Sequence, residues 1–307
     1  MLLLVGFCAW SALQIGWDER PWETAVRQLF SGQDPYQLNL QERLRSDQQT
    51  GWPYGPIGLL TLEPIYAVLR WDGAGARPTA FVVACIVLAT LAHALVVLEA
   101  WRLAGTPWRG ATAGAMVLFN PFLLLLQSQG AVLDLAMLWL LLLCARAQEA
   151  DRPRLSALAL GASIGFKQLG LLYLPAWTWR NRGRPDALAV LAAAAVLPGL
   201  PFLVDNAAAF TFAYSGAANG YRNFVELDWW NVFGYALRHG VPAGWLRVLS
   251  WTATAGVMVA GTLAAHRARP LVVLAGVTTA AWLTYYSAYS LYLGWWTAIA
   301  TTVVASS

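Results

Sequence analysis

Residues 79–101 carry a single carboxylate in 23 positions, and a run of that length spans the roughly 30 Å hydrocarbon core of a bilayer as a helix. In lipid the backbone has no water to bond, so such a segment must satisfy its own N–H and C=O groups. Apolar segments recur at 2–17, 56–69, 111–126, 133–145, 155–166, 169–179, 187–204, 245–265, 271–286 and 291–305. The expected fold is all-α: a polytopic transmembrane helical bundle of about 10–11 hydrophobic segments, some short or re-entrant, in one integral membrane domain over 1–307. Two polar stretches, 18–54 and 205–244, read as extracytoplasmic loops, the first with amphipathic helices at 25–30 and 37–45.

Composition agrees, with 58% hydrophobic residues, 12% charged and a mean hydropathy of +0.51. The net charge of +4 does not point to nucleic acid, because the arginines gather in short loops where the positive-inside bias explains them. Cys8, Cys85 and Cys144 sit in apolar segments without metal spacing and predict no disulfide framework. His93, His239 and His266 are scattered. The first apolar run lacks a basic leader and a small-residue cleavage site, so it reads as a retained helix.

The basic stretches 102–109, 146–154, 180–184 and 266–269 read as cytoplasmic. That puts the polar break Gln127-Ser128-Gln129-Gly130, the corner at Lys167 and the 205–244 stretch outside. Counting forward from an inside N-terminus conflicts at 102–109 if 56–69 crosses. The shortness of 56–69 and its Glu63-Pro64 pair favour a segment that does not cross fully.

Lys167 is the one lysine beside nineteen arginines, and it lies between two apolar stretches. Intramembrane cations are costly and face a cavity or a partner, although a lysine at a helix end can also snorkel to the interface. An ammonium there suits the phosphate of a lipid-linked substrate. Asp18-Glu19 after the first run can supply a general base or hold a divalent cation, or be an ordinary interfacial charge cluster. Asp34 and Tyr36 lie in Gly32-Gln33-Asp34-Pro35-Tyr36, and Tyr54 in Trp52-Pro53-Tyr54-Gly55-Pro56. Asn120-Pro121, Gln129 and Asp134 come next; Asp134 can meet a sugar hydroxyl or a basic group, or cap its helix. Arg222, Glu226 and Asp228 sit among aromatic residues in 221–231, a mixture that suits carbohydrate and phosphate but also describes an interfacial belt.

In this order the pieces resemble the GT-C superfamily of membrane glycosyltransferases, above all the polyprenol-phosphate-mannose-dependent mannosyltransferases, including the bacterial relatives of the first mannosyltransferase of GPI assembly. Asp18-Glu19-Arg20 looks like that family's acidic motif, Gly32 to Tyr36 like its Gly-x-x-Pro-Tyr turn, and Lys167 with Leu174-Pro175 like its later lysine. The likeness covers about residues 2–175 and departs where the acidic motif runs into Arg20-Pro21 and where the chain is short after Tyr286.

What the resemblance implies is hexose transfer, with mannose the family default, from a polyprenyl-phosphate donor to a glycan or lipid acceptor. Transfer would occur on the extracytoplasmic face of the cell membrane with inversion. Asp18 is then the first choice of base and Glu19 the second. Lys167 and Arg222 bind the donor phosphate, while Asp34, Tyr36, Tyr54, Asn120, Gln129, Asp134, Glu226 and Asp228 position substrate. No cofactor is required; a divalent cation (Mg or Mn) is an option for Asp18 and Glu19. A transporter or flippase of lipid-linked sugars is the rival, although internal repeats are not visible. A non-catalytic membrane partner of a transferase is the third reading.

Overall fold

The computed structural model describes residues 19–37, 54–69, 78–128, 130–214, 235–236, 239–284 and 293–306. The apolar run 2–17 and the helix expected at 37–45 lie outside those residues, apart from Gln37. All regular structure among the described residues is helical, as the apolar pattern predicts. The chain is a membrane protein by the length and composition of several of these helices.

Helix α1 (Glu19–Phe30) is amphipathic, with Trp22, Ala25 and Val26 buried on one stripe and Arg27 exposed. It lies along α2 (Pro56–Leu69), with Trp22 edge-on to Tyr54 and Phe30 edge-on to Tyr66. Fourteen residues make α2 only about 21 Å long, short of a full crossing. Its far end packs Tyr66 on Phe81, in the first turns of α3 (Pro78–Leu103).

The segment expected as one helix over 111–126 is two. Helices α4 (Pro107–Leu118) and α5 (Pro121–Ser128) meet at a 53° bend. Pro121 cannot donate a backbone hydrogen bond. Asn120 caps the new helix instead, its Oδ1 accepting from the N–H groups of Phe122 (3.0 Å) and Leu123 (3.3 Å). Asn120 Nδ2 donates to Thr297 Oγ1 at 2.6 Å. The expected polar break is present as well, since α5 ends at Ser128 and the next helix begins at Val132. Gln127 is helical and bonds the buried His93 and the hydroxyl of Thr90.

Helices α6 (Val132–Glu149) and α7 (Pro153–Phe166) form the centre with α3 and α9 (Pro185–Val196). After Lys167 a 3-10 turn (Gln168–Leu172) leads into α8 (Leu174–Arg180). A short 3-10 turn joins α9 to α10 (Leu200–Tyr214), and together they make one apolar span, Pro185–Thr211. The helix leaves helical geometry at Asn206 yet continues to Tyr214, so the polar stretch beginning at 205 opens as helix. Helices α11 (Ala243–Ala264), α12 (Pro270–Thr284) and α13 (Leu293–Ser306) pack in sequence, and α13 returns against α4.

The bundle has two chemically different ends. One carries the arginines: Arg146 and Arg102 on the buried Glu99, Arg269 on Glu149, Arg154 on Asp186 and Arg184 on Asp151. Asp134 and Lys167 lie at the other end, since α6 and α7 run antiparallel between the two. Helix α2 starts and finishes at the Lys167 end: its first residues touch α7's last turn, and Tyr66 meets the turns of α3 opposite Glu99. It therefore does not traverse the bundle, which removes the conflict in the loop count.

Candidate functional site

Lys167 interrupts the α7 helix in an extended conformation (φ −151°, ψ 134°), its N–H still bonded to Ser163 O at 2.9 Å. The break turns the side chain onto α6, where Nζ donates to Asp134 Oδ1 at 2.7 Å. Both side chains are almost sealed, at 7% and 5% exposure. Burial makes such a pair costly to break on one side, because the remaining charge has no water. Asp134 has a further source of stabilisation in the first turn of α6, where the helix's unsatisfied N–H groups favour a carboxylate.

The ammonium also lies 5.0 Å from the ring centroid of Tyr54, a cation–π distance. Two glycines set that contact. Gly55 N–H donates to Phe166 O at 3.2 Å, and a Cβ on Gly55 would overlap the carbonyl of Gly165. A Cβ on Gly165 would overlap the side chain of Ile57. Helices α2 and α7 can approach this closely only without side chains, and the crossing carries Tyr54 to Lys167.

Tyr54 is supported in turn from the polar side of the chain. Tyr36 is wholly buried against Phe202 and Phe210 of α10, and its hydroxyl donates to Tyr54 O at 3.2 Å. The turn that delivers Tyr36 is closed by Asp34 Oδ1, which accepts from Tyr36 N–H at 2.9 Å, and by Gly32 at φ +74°. Burial pushes the Asp34 carboxyl above its ordinary value of 3.8, and the nearby Asp205 adds to that. A continuous set of contacts thus runs from the Gly32–Tyr36 turn through Tyr54 to Lys167 and Asp134.

A sequence profile described as alpha-(1->6)-mannopyranosyltransferase, N-terminal domain, matches residues 21–181, a stretch that contains every group in this set except Phe202, Asp205 and Phe210. The chain belongs to the alpha-(1->6)-mannopyranosyltransferase family. It is therefore a mannosyltransferase-type glycosyltransferase of the membrane, consistent with the GT-C resemblance, and such an enzyme takes a sugar donor and a glycan acceptor. No curated protein matches the chain.

Within this mannosyltransferase family member the expected site residues divide into groups. Lys167, Asp134, Tyr54, Tyr36 and Asp34 come together. Asn120 works at the α4–α5 hinge, with both ends of its amide engaged there. Asp18, Gln129, Arg222, Glu226 and Asp228 lie outside the described residues, and Glu19 is described only as the start of α1. Residues that the sequence did not single out are Trp22, Gly165 and His93. A sequence signal existed for Gly165: Gly161-x-x-x-Gly165 has the small-residue spacing of close helix crossings. Its two glycines serve different neighbours, since a Cβ on Gly161 would meet Ala194 Cβ of α9 at 2.6 Å.

Proposed function

We propose that the chain transfers mannose from a polyprenyl-phosphate donor to a glycan or lipid acceptor, on the extracytoplasmic face of the cell membrane and with inversion at the anomeric carbon. The observation that carries this reading is the position of the chain's one lysine: buried, charge-paired and set over an aromatic ring at the end of the bundle opposite the arginines. Arginine-rich ends face the cytoplasm, so the lysine end faces outward. A phosphate there gains more from an ammonium in a low-dielectric site than it would in water.

In the proposed step the acceptor hydroxyl oxygen attacks the anomeric carbon. The sugar–oxygen bond to the phosphate breaks, its electron pair stays on the phosphate, and the hydroxyl proton passes to a carboxylate. Asp18 is the base of first choice and Glu19 the second; a carboxylate base contributes about 10²–10⁴-fold. Lys167 and Arg222 receive the negative charge that develops on the leaving phosphate. Tyr54 bounds the phosphate site, and Glu226 and Asp228 position substrate.

The test is transfer of labelled mannose from defined polyprenyl-phosphate donors in membranes containing the chain. Asp18→Asn is expected to abolish transfer while the protein stays folded; full activity in that variant removes Asp18 as base. Lys167→Met is expected to raise the KM for donor more than that for acceptor, and an equal rise in both counts against a phosphate role.

A further inference from the structure

We infer that Asp134 is an exchangeable counter-ion: Lys167 leaves it for the donor phosphate and returns to it as the product phosphate departs. The inference rests on the lipid-phosphate donor just proposed and adds how the site lets go of its product.

The two partners are anchored unequally. Asp134 sits in the first turn of a continuous 18-residue helix, where the positive end of the helix dipole favours a carboxylate independently of Lys167. Lys167 sits where the helix is broken, on a four-carbon stem, with the face of Tyr54 as a second resting place. Of the two, the lysine is the one able to change partners. Two buried charges locked for structure alone would be better served by fixing both on regular helix.

The chemistry of transfer supplies a reason for exchange. The donor is a phosphodiester with one negative charge. Cleavage of the sugar–oxygen bond leaves a phosphomonoester carrying close to two at neutral pH, while the acceptor's proton leaves on the base. An ammonium therefore holds product more tightly than substrate, and a site with an uncompensated lysine would retain its product. Asp134 competes for Lys167 at every stage. Vacated in both complexes, its carboxylate repels the product phosphate, with its extra negative charge, more than the donor's, so it speeds release.

The single lysine makes the exchange observable in the unaltered protein. Lysine labelled with ¹⁵N at Nζ gives one ammonium signal for the whole chain. With Asp carboxyls labelled in ¹³C, solid-state NMR of the ligand-free protein should show an Nζ–carboxyl coupling, assigned to Asp134 by its loss in Asp134→Asn. Addition of a short-chain polyprenyl monophosphate should weaken that coupling and create one between Nζ and ³¹P. A carboxyl coupling that persists at full strength with no ³¹P partner overturns the exchange.

The second arm is kinetic. Asp134→Asn should lower the inhibition constant of the monophosphate by about tenfold, the factor carried by one charge-assisted hydrogen bond. It should lower the donor KM by less. A merely structural pair would leave inhibition unchanged or weaker, and either result overturns the proposal. Monophosphate that does not inhibit wild-type transfer at all refutes the lipid-phosphate donor itself. Inhibition with an intact Lys167–Asp134 coupling refutes only the exchange.

Discussion

At the residue scale, Lys167 and Asp134 are each conspicuous in the sequence, but their pairing is not, because 33 residues separate them. The antiparallel packing of α6 on α7 and the loss of helix at Lys167 bring them together, and neither can be read from local propensity. Tyr54 shows the same limit. Its aromatic and proline-rich setting marks it, yet its place beside Lys167 depends on the backbone crossing at Gly55 and Gly165. Asp34 gives a pH test. Its carboxyl titrates above 3.8 in the folded protein, so the native state keeps a proton that the unfolded chain has already lost. Stability contributed by the turn is therefore greatest at low pH and declines as pH rises through the range above 3.8. In detergent, Asp34→Asn should keep the Tyr36 N–H bond and flatten that decline; an unchanged slope of thermal midpoint against pH would remove Asp34 as its source.

At the scale of elements, the sequence marks the apolar segments and the amphipathic α1 well, because burial in lipid or against a neighbour leaves a periodic or continuous apolar record. It marks the polar break that ends α5 at Ser128 before α6 begins at Val132, but not the bend between α4 and α5. Gln127 bonds to α3 from within the last turn of α5, while Pro121 and the capping Asn120 make the bend. Asn120→Ala should cost about 1 kcal/mol for the lost cap, with a further loss for the Thr297 contact. Thermal unfolding of the purified protein measures it, and no change would mean that the hinge is held by packing alone. Gly55→Ala should act on the site rather than the fold's core. Its Cβ would overlap the Gly165 carbonyl, so α2 must shift and carry Tyr54 with it. A displacement of about 1 Å at a reacting group is worth about 10²-fold in rate. Mannose transfer should fall accordingly, and wild-type turnover in that variant would detach Tyr54 from the chemistry.

At the scale of the molecule, helix α2 reconciles the loop charges with the number of crossings by lying with both ends at one end of the bundle. The sequence favours this through its length and Glu63-Pro64, but only the contacts of Tyr54 and Tyr66 with their neighbours decide it. A cysteine at the exposed position of Gln33 should react with a membrane-impermeant thiol reagent from outside intact cells, and one at Arg182 only after permeabilisation. The reverse pattern would turn the whole topology over and place the site on the cytoplasmic side.

The region matched by the family profile ends at 181, yet it is stitched to the last helices of the chain. Arg180 donates to the carbonyls of Ala265 and Ala268, the Tyr173 hydroxyl to that of Pro270, and Asn120 to Thr297. During synthesis each of these groups is made some 85 residues or more before that partner. The N-terminal portion therefore inserts with the Asn120 amide inside the bundle and the Arg180 guanidinium at its arginine end short of their final bonds, while the Tyr173 hydroxyl already has Gln148 as a partner at 2.8 Å. That portion is held meanwhile by the contacts among α3, α6, α7 and α9. Assembly in this protein is thus a matter of timing as well as of packing, with the last helices closing polar gaps that the first ones carried in.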